Sequence, residues 1–131
     1  MKKCIFLAIA FSTATAFAAP PKHSHDDVLV WPTRDARAGE AVDLNSMIYT
    51  LHTHAECSLP LVNAKNMRRL DVHSGATNYV GCWGLLLGDR VVMIDPEGKQ
   101  TIEPMVIFGR ASVHEDGTGT LQYASYSKRQ P

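Results

Sequence analysis

The chain has 131 residues, 45% of them hydrophobic, with 13 basic and 13 acidic side chains and no net formal charge. That length suits one domain with a core of its own. The balanced charge argues against a nucleic-acid partner, because sequence-independent binding needs a concentrated positive surface.

Residues 1–19 read as a cleaved export leader. Lys2 and Lys3 form a short basic start, Cys4 to Phe11 is apolar, and Ala16-Phe17-Ala18 has the small-x-small pattern a leader peptidase cuts behind. Even extended to Ala19, the apolar run is shorter than the roughly 20 residues a membrane-spanning helix needs, and Cys4 stands at the wrong end of the leader for lipidation. The mature product is therefore expected in the periplasm or secreted, without stable membrane insertion. Cleavage after Ala18 or Ala19 leaves 11 basic against 13 acidic residues, a net charge of −2. It also leaves two cysteines, Cys57 and Cys82. In an oxidising compartment these are expected to form one disulfide, contributing roughly 3 to 4 kcal/mol in the chain-entropy account.

Residues 20–46 open with two prolines and carry the polar cluster Lys22 to Asp27, and their only strongly apolar patch, Val28 to Trp31, is ended by Pro32. The pattern predicts a mostly irregular arm that docks through that patch. From Met47 the residues Ile48, Tyr49, Thr50, Leu51 and Thr53 favour a strand over the competing helix, because four of the five are β-branched or aromatic. Next come an alternating strand over Met67 to Val72, a turn at Ser74 to Asn78, a strand over Tyr79 to Leu87, a tight turn at Gly88-Asp89 and a strand over Arg90 to Ile94. Asp95-Pro96-Glu97-Gly98 then suits a type I turn, and Lys99 to Glu103 returns. Trp83 to Leu87 is placed in the sheet centre with both faces covered. Met105 to Phe108 adds a strand or closes the core. The predicted fold is mainly β, an antiparallel meander of four or five strands over residues 47–110, tied by one disulfide and followed by a flexible tail over 111–131.

Histidine is the residue type that raises a chemical question. His23-x-His25 and His52-x-His54 share one spacing, and on a strand residues i and i+2 face the same way. His52 and His54 are thus candidate zinc or copper ligands, with Glu56 continuing the face and His73, His114 or the arm histidines His23 and His25 as a third donor. The same alternation also arises on a solvated strand face. Neither a Gly-x-Ser-x-Gly nucleophile nor a His-Glu-x-x-His metal helix occurs, and the spacing that tunes a redox-active Cys-x-x-C is missing. Trp31 and Trp83 are candidate partner contacts, with a core role as the alternative for Trp83.

Tyr79-Val80-Gly81-Cys82-Trp83-Gly84, with Cys57 upstream and Asp95-Pro96-Glu97-Gly98 downstream, resembles a loose group of small exported bacterial and phage-encoded proteins of uncharacterised function. The resemblance covers about Cys57 to Pro104. It implies a bridged β core and supplies no activity. The expected function is a non-enzymatic binding or accessory role on a protein or envelope partner, with no cofactor. A periplasmic zinc- or copper-binding protein is the alternative, and a small secreted hydrolase the third class.

Overall fold

The computed structural model describes residues 26–124, so the expected leader, His23, His25 and the end of the expected tail lie outside the described residues. The strands are β1 (Asp27–Trp31), β2 (Ala41–Asp43), β3 (Tyr49–Glu56), β4 (Arg68–Ser74), β5 (Thr77–Leu86), β6 (Arg90–Ile94), β7 (Gln100–Pro104), β8 (Gly109–Val113) and β9 (Thr118–Tyr123). They form one antiparallel sheet in the order β2-β9-β8-β1-β3-β4-β5-β6-β7. Three single-turn 3-10 segments, Leu44–Ser46, Ala64–Asn66 and Met105–Ile107, join strands. The mainly β, antiparallel architecture with a Cys57–Cys82 bridge is as expected, but the described residues hold nine strands rather than four or five.

The β3 to β7 meander follows the turn chemistry. Asp95 Oδ1 accepts from the N–H groups of Glu97 and Lys99, both at 2.9 Å, and Gly98 N–H closes on the Asp95 carbonyl at 3.0 Å. Gly98 takes φ 87°, which a residue with a side chain adopts only under strain. Met105–Ile107 is the closing segment, not a further strand.

Two segments depart from the expectation. The supposed arm supplies β1, which lies near the sheet centre between β8 and β3. Val28, Leu29 and Val30 are all buried, so the apolar run faces protein on both sides. Its polar neighbours misled the reading: Asp27 is matched by Arg110 across the sheet, and such partners cannot be seen locally. The supposed tail supplies the end of β8 and all of β9, and it buries Ala111 and Leu121. Gly117 and Gly119 concealed that strand, since glycine ordinarily weakens one; here Gly119 lies where a Cβ would meet the Ser112 carbonyl oxygen at 2.8 Å.

There are two cores, one on each face. On the first face Leu29, Leu51, Leu70, Val72, Trp83, Val91 and Met93 pack under Phe108, with Met105 and Ile107 against them. On the second, Val28, Val30, Val42, Ala111 and Leu121 pack under Leu44 and Met47. Strand alternation divides β1 between them. The stretch Trp83 to Leu87, expected to be covered on both faces, is not: Trp83 is buried, but Leu85 and Leu87 are 67% and 92% exposed, because the core ends before the hairpin tip.

Leu29→Ala and Leu121→Ala, in the segments that read as arm and tail, should each cost about 2–5 kcal/mol in urea unfolding. Val62→Ala, at an exposed position, should stay within about 0.5 kcal/mol.

Candidate functional site

β3 loses its register against β4 between Leu51 and Glu56. Five steps along β3, from Leu51 to Glu56, match two along β4, from Leu70 to Arg68, so the ladder opens around Thr53 to Ala55. Side chains occupy the gap. Trp83 Nε1–H donates to the His52 carbonyl at 2.8 Å, and Arg68 Nε–H donates to the Thr53 carbonyl at 3.3 Å. The Thr53 hydroxyl donates to the Asp27 carbonyl at 2.6 Å. Trp83 is therefore a core residue with a satisfied indole, 5% exposed, and not a partner contact.

The irregularity also decides the fate of the histidines. His52 lies on the second face between two carboxylates: Nδ1 is 2.8 Å from Asp26 Oδ2 and Nε2 is 2.8 Å from Asp71 Oδ2. Arg69 Nε–H donates to the other oxygen of Asp71 at 2.9 Å. Two ionised carboxylates require two ring N–H donors, which only the imidazolium offers. Burial opposes that charge, but the hydrogen bonds to Asp71 and Asp26 and the attraction of both carboxylates outweigh it and hold the His52 pKa above the ordinary 6.5. For Asp71 burial acts upward, while the bonds to His52 and Arg69 bring its pKa below the ordinary 3.8.

His52 thus has both ring nitrogens engaged, whereas a metal ligand needs a free nitrogen lone pair. His54 is exposed, and His73 Nδ1 lies 3.2 Å from Asn78 Oδ1. The expected His52–His54 ligand pair is not assembled. Among the described residues no group of three or more histidine, cysteine or acidic side chains is gathered in a way that could hold a metal ion. The partners of His52 were not found from the sequence. Asp71 points away from Leu70 and Val72 in strand alternation, and nothing local pairs it with position 52.

Cys57 and Cys82 are bonded, with Cα atoms 5.2 Å apart. The bridge ties the end of the irregular β3 to β5, on the face opposite Trp83. Trp31 stacks on Tyr49 with ring centroids 5.6 Å apart and an interplanar angle of 29°. Tyr49 and Tyr79 flank Val72 across three strands and line a shallow cleft of about 320 Å³ together with Ser74, Thr77 and Lys99. Trp31 therefore gives one ring face to Tyr49 and stands beside this cleft.

At the other end of β5 and β6, Leu85 and Leu87 project from the hairpin tip. Gly88 (φ 78°) and Asp89 (φ 52°) turn the chain, and Met105 N–H donates to the Asp89 carbonyl at 2.8 Å. That bond holds the 3-10 segment carrying exposed Val106 against the tip. Three large apolar side chains thus stand in solvent at one end of the sheet.

Compared with models of known protein families, with curated proteins and with solved structures, the chain matches none.

Trp83→Phe keeps the ring packing and removes the donor, so urea unfolding should show a loss of about 1–3 kcal/mol from the unpaired His52 carbonyl. Asp71, with a folded pKa below its unfolded one, stabilises at pH above 3.8, and that contribution disappears as pH falls through the folded value. Acid unfolding of Asp71→Asn should accordingly show a shallower dependence on pH than the parent in that range.

Proposed function

We propose that this protein is an exported, non-enzymatic binding module that engages a protein or envelope partner through the β5–β6 hairpin tip. The observation that carries the reading is the exposure of Leu85 and Leu87 beside Val106. Scattered apolar surface residues need no explanation, but neighbouring large ones at one end of a small domain mark a contact surface. Leu85 lies near the end of β5 and Leu87 in the turn that follows it.

The arrangement around His52 supports a non-enzymatic role. A general base must present a nitrogen to the proton it removes, and both nitrogens of this ring are bound to carboxylates. The disulfide supports export, since such bonds persist in oxidising compartments. No helix among the described residues is long and apolar enough to cross a membrane.

A photo-crosslinking residue placed at position 87 of the full chain, in cells that export it, should give a discrete adduct. The same probe at Val62, which is equally exposed at 91%, should give none. Leu85→Asp with Leu87→Asp should weaken association with the captured partner about tenfold or more, as loss of a central contact does, while leaving thermal unfolding unchanged. Equal labelling from both positions, or undiminished association of the double variant, would refute the tip as the contact surface.

A further inference from the structure

We infer that His52 is a proton-operated latch: its doubly protonated ring fastens the start of β1, through Asp26, to Asp71 on β4, and loss of one ring proton releases Asp26. The inference is independent of the hairpin tip. It rests on which atoms meet. Both ring nitrogens of His52 lie 2.8 Å from carboxylate oxygens, one immediately before β1 and the other in the middle of β4. A neutral imidazole carries one N–H and one lone pair. It can hold one of the two carboxylates, and it turns a lone pair toward the other.

The two carboxylates are not equally placed to let go. Asp71 sits within β4, with neighbours on both sides, and keeps the Arg69 guanidinium at 2.9 Å. Asp26 stands outside the strand. Among the described residues, its Oδ2 meets only His52 and its Oδ1 is buried without a hydrogen-bond partner. The Asp26 carboxyl group thus has the imidazolium as its one side-chain partner among those residues, and a carboxylate buried without one is costly enough to move. Once it moves, what remains at that residue is the backbone bond from Val113 N–H to the Asp26 carbonyl, at 3.2 Å.

The charged and titratable groups around the ring are few. Toward β1 there is Asp26; the next residue, Asp27, points to the other face and pairs with Arg110 of β8. From β4 come Asp71, Arg69 and His73, all on the same sheet face by alternation. On its own strand His54 and Glu56 are exposed beyond the irregularity. β5 presents Val80 and Cys82 at this level, which carry no charge. Asp26, His52, Asp71 and Arg69 sum to neutrality when the ring is protonated and to one uncompensated negative charge when it is not.

The sign follows from linkage. A histidine with a folded pKa above its unfolded value contributes stability that is complete below the unfolded value, near 6.5, and is lost as pH rises through the folded value. The latch is shut on the acid side and open on the alkaline side.

The test is nuclear magnetic resonance on the full, disulfide-bonded chain, which reads the His52 ring nitrogens and the Val113 amide across the His52 titration. Two ring N–H groups are expected on the acid side and one on the alkaline side. The exchange protection factor of Val113, corrected for intrinsic exchange, should fall about tenfold through the same step, the scale of one charged hydrogen bond. Asp26→Asn and His52→Gln should each abolish that step. If His52→Gln does not fold, the wild-type titration and Asp26→Asn decide alone. A single ring N–H on the acid side, a Val113 protection factor unchanged through the titration, or the same step persisting in Asp26→Asn would each overturn the latch.

Discussion

The constraint on which the rest of the structure depends is the position of β1. Val28, Leu29 and Val30 are consecutive and buried, so one short strand serves as wall for both cores. Neither core is complete without it. The strands on one side of β1, from β3 onward, bury their apolar residues on the first face, while β8, β9 and β2 bury theirs on the second. No element has to cover the whole of either face, and the described residues fill nine strands with no helix longer than a 3-10 turn. The cost lies in loop closure. β1 pairs with β8, and the Asp27–Arg110 contact spans 83 residues, so the cores cannot both form until the two ends of the domain meet.

That arrangement concentrates the irregularities in β3. β3 meets β1 at Tyr49 to His52 and β4 at Tyr49 to Leu51, then breaks step before Glu56. A break in the middle of a sheet leaves carbonyls without ladder partners. The indole of Trp83 and the guanidinium of Arg68 reach in from β5 and β4 to satisfy them. The disulfide acts at the same place from the opposite face, because Cys82 and Trp83 are neighbours on one strand and point opposite ways. β5 thus holds the loose end of β3 on one face by a covalent bond and on the other by a hydrogen bond.

The meander from β3 to β7 was legible in the sequence because each strand pairs with the next one along, and the turn residues between them, such as Asp95 to Gly98, state their geometry locally. Mainly β architecture and the Cys57–Cys82 pair followed for the same reason. β1 and β9 were not legible, since their partners lie far along the chain and their flanking residues, Asp27 and Gly119, look like loop residues until Arg110 and Ser112 are set beside them. The Trp83 to Leu87 run failed in the opposite direction. Its composition says burial, but a strand longer than the core it crosses must emerge, and the sequence does not record where the core stops. At the site, His52-x-His54 correctly marked a strand face. The strict period of two assumed there does not survive the break between Leu51 and Glu56, and the residues that do engage His52 come from positions 26 and 71.

These constraints meet at Asp26, just before β1, and Asp27, its first residue. Asp26 and Asp27 are adjacent, point to opposite faces, and are each held by a cation: His52 on the second face and Arg110 on the first. The pins differ in kind. Hydrogen bonding to Asp27 raises the Arg110 pKa further above a value already beyond physiological pH, so that pin does not titrate. The imidazolium pin does, at a pKa raised above the ordinary histidine value by its two carboxylates. A strand shared by two cores can therefore be loosened from one face while the other stays fastened. Because Val28 and Val30 on the loosened face remain buried under their own core, the change stays at the start of the strand and does not unfold it.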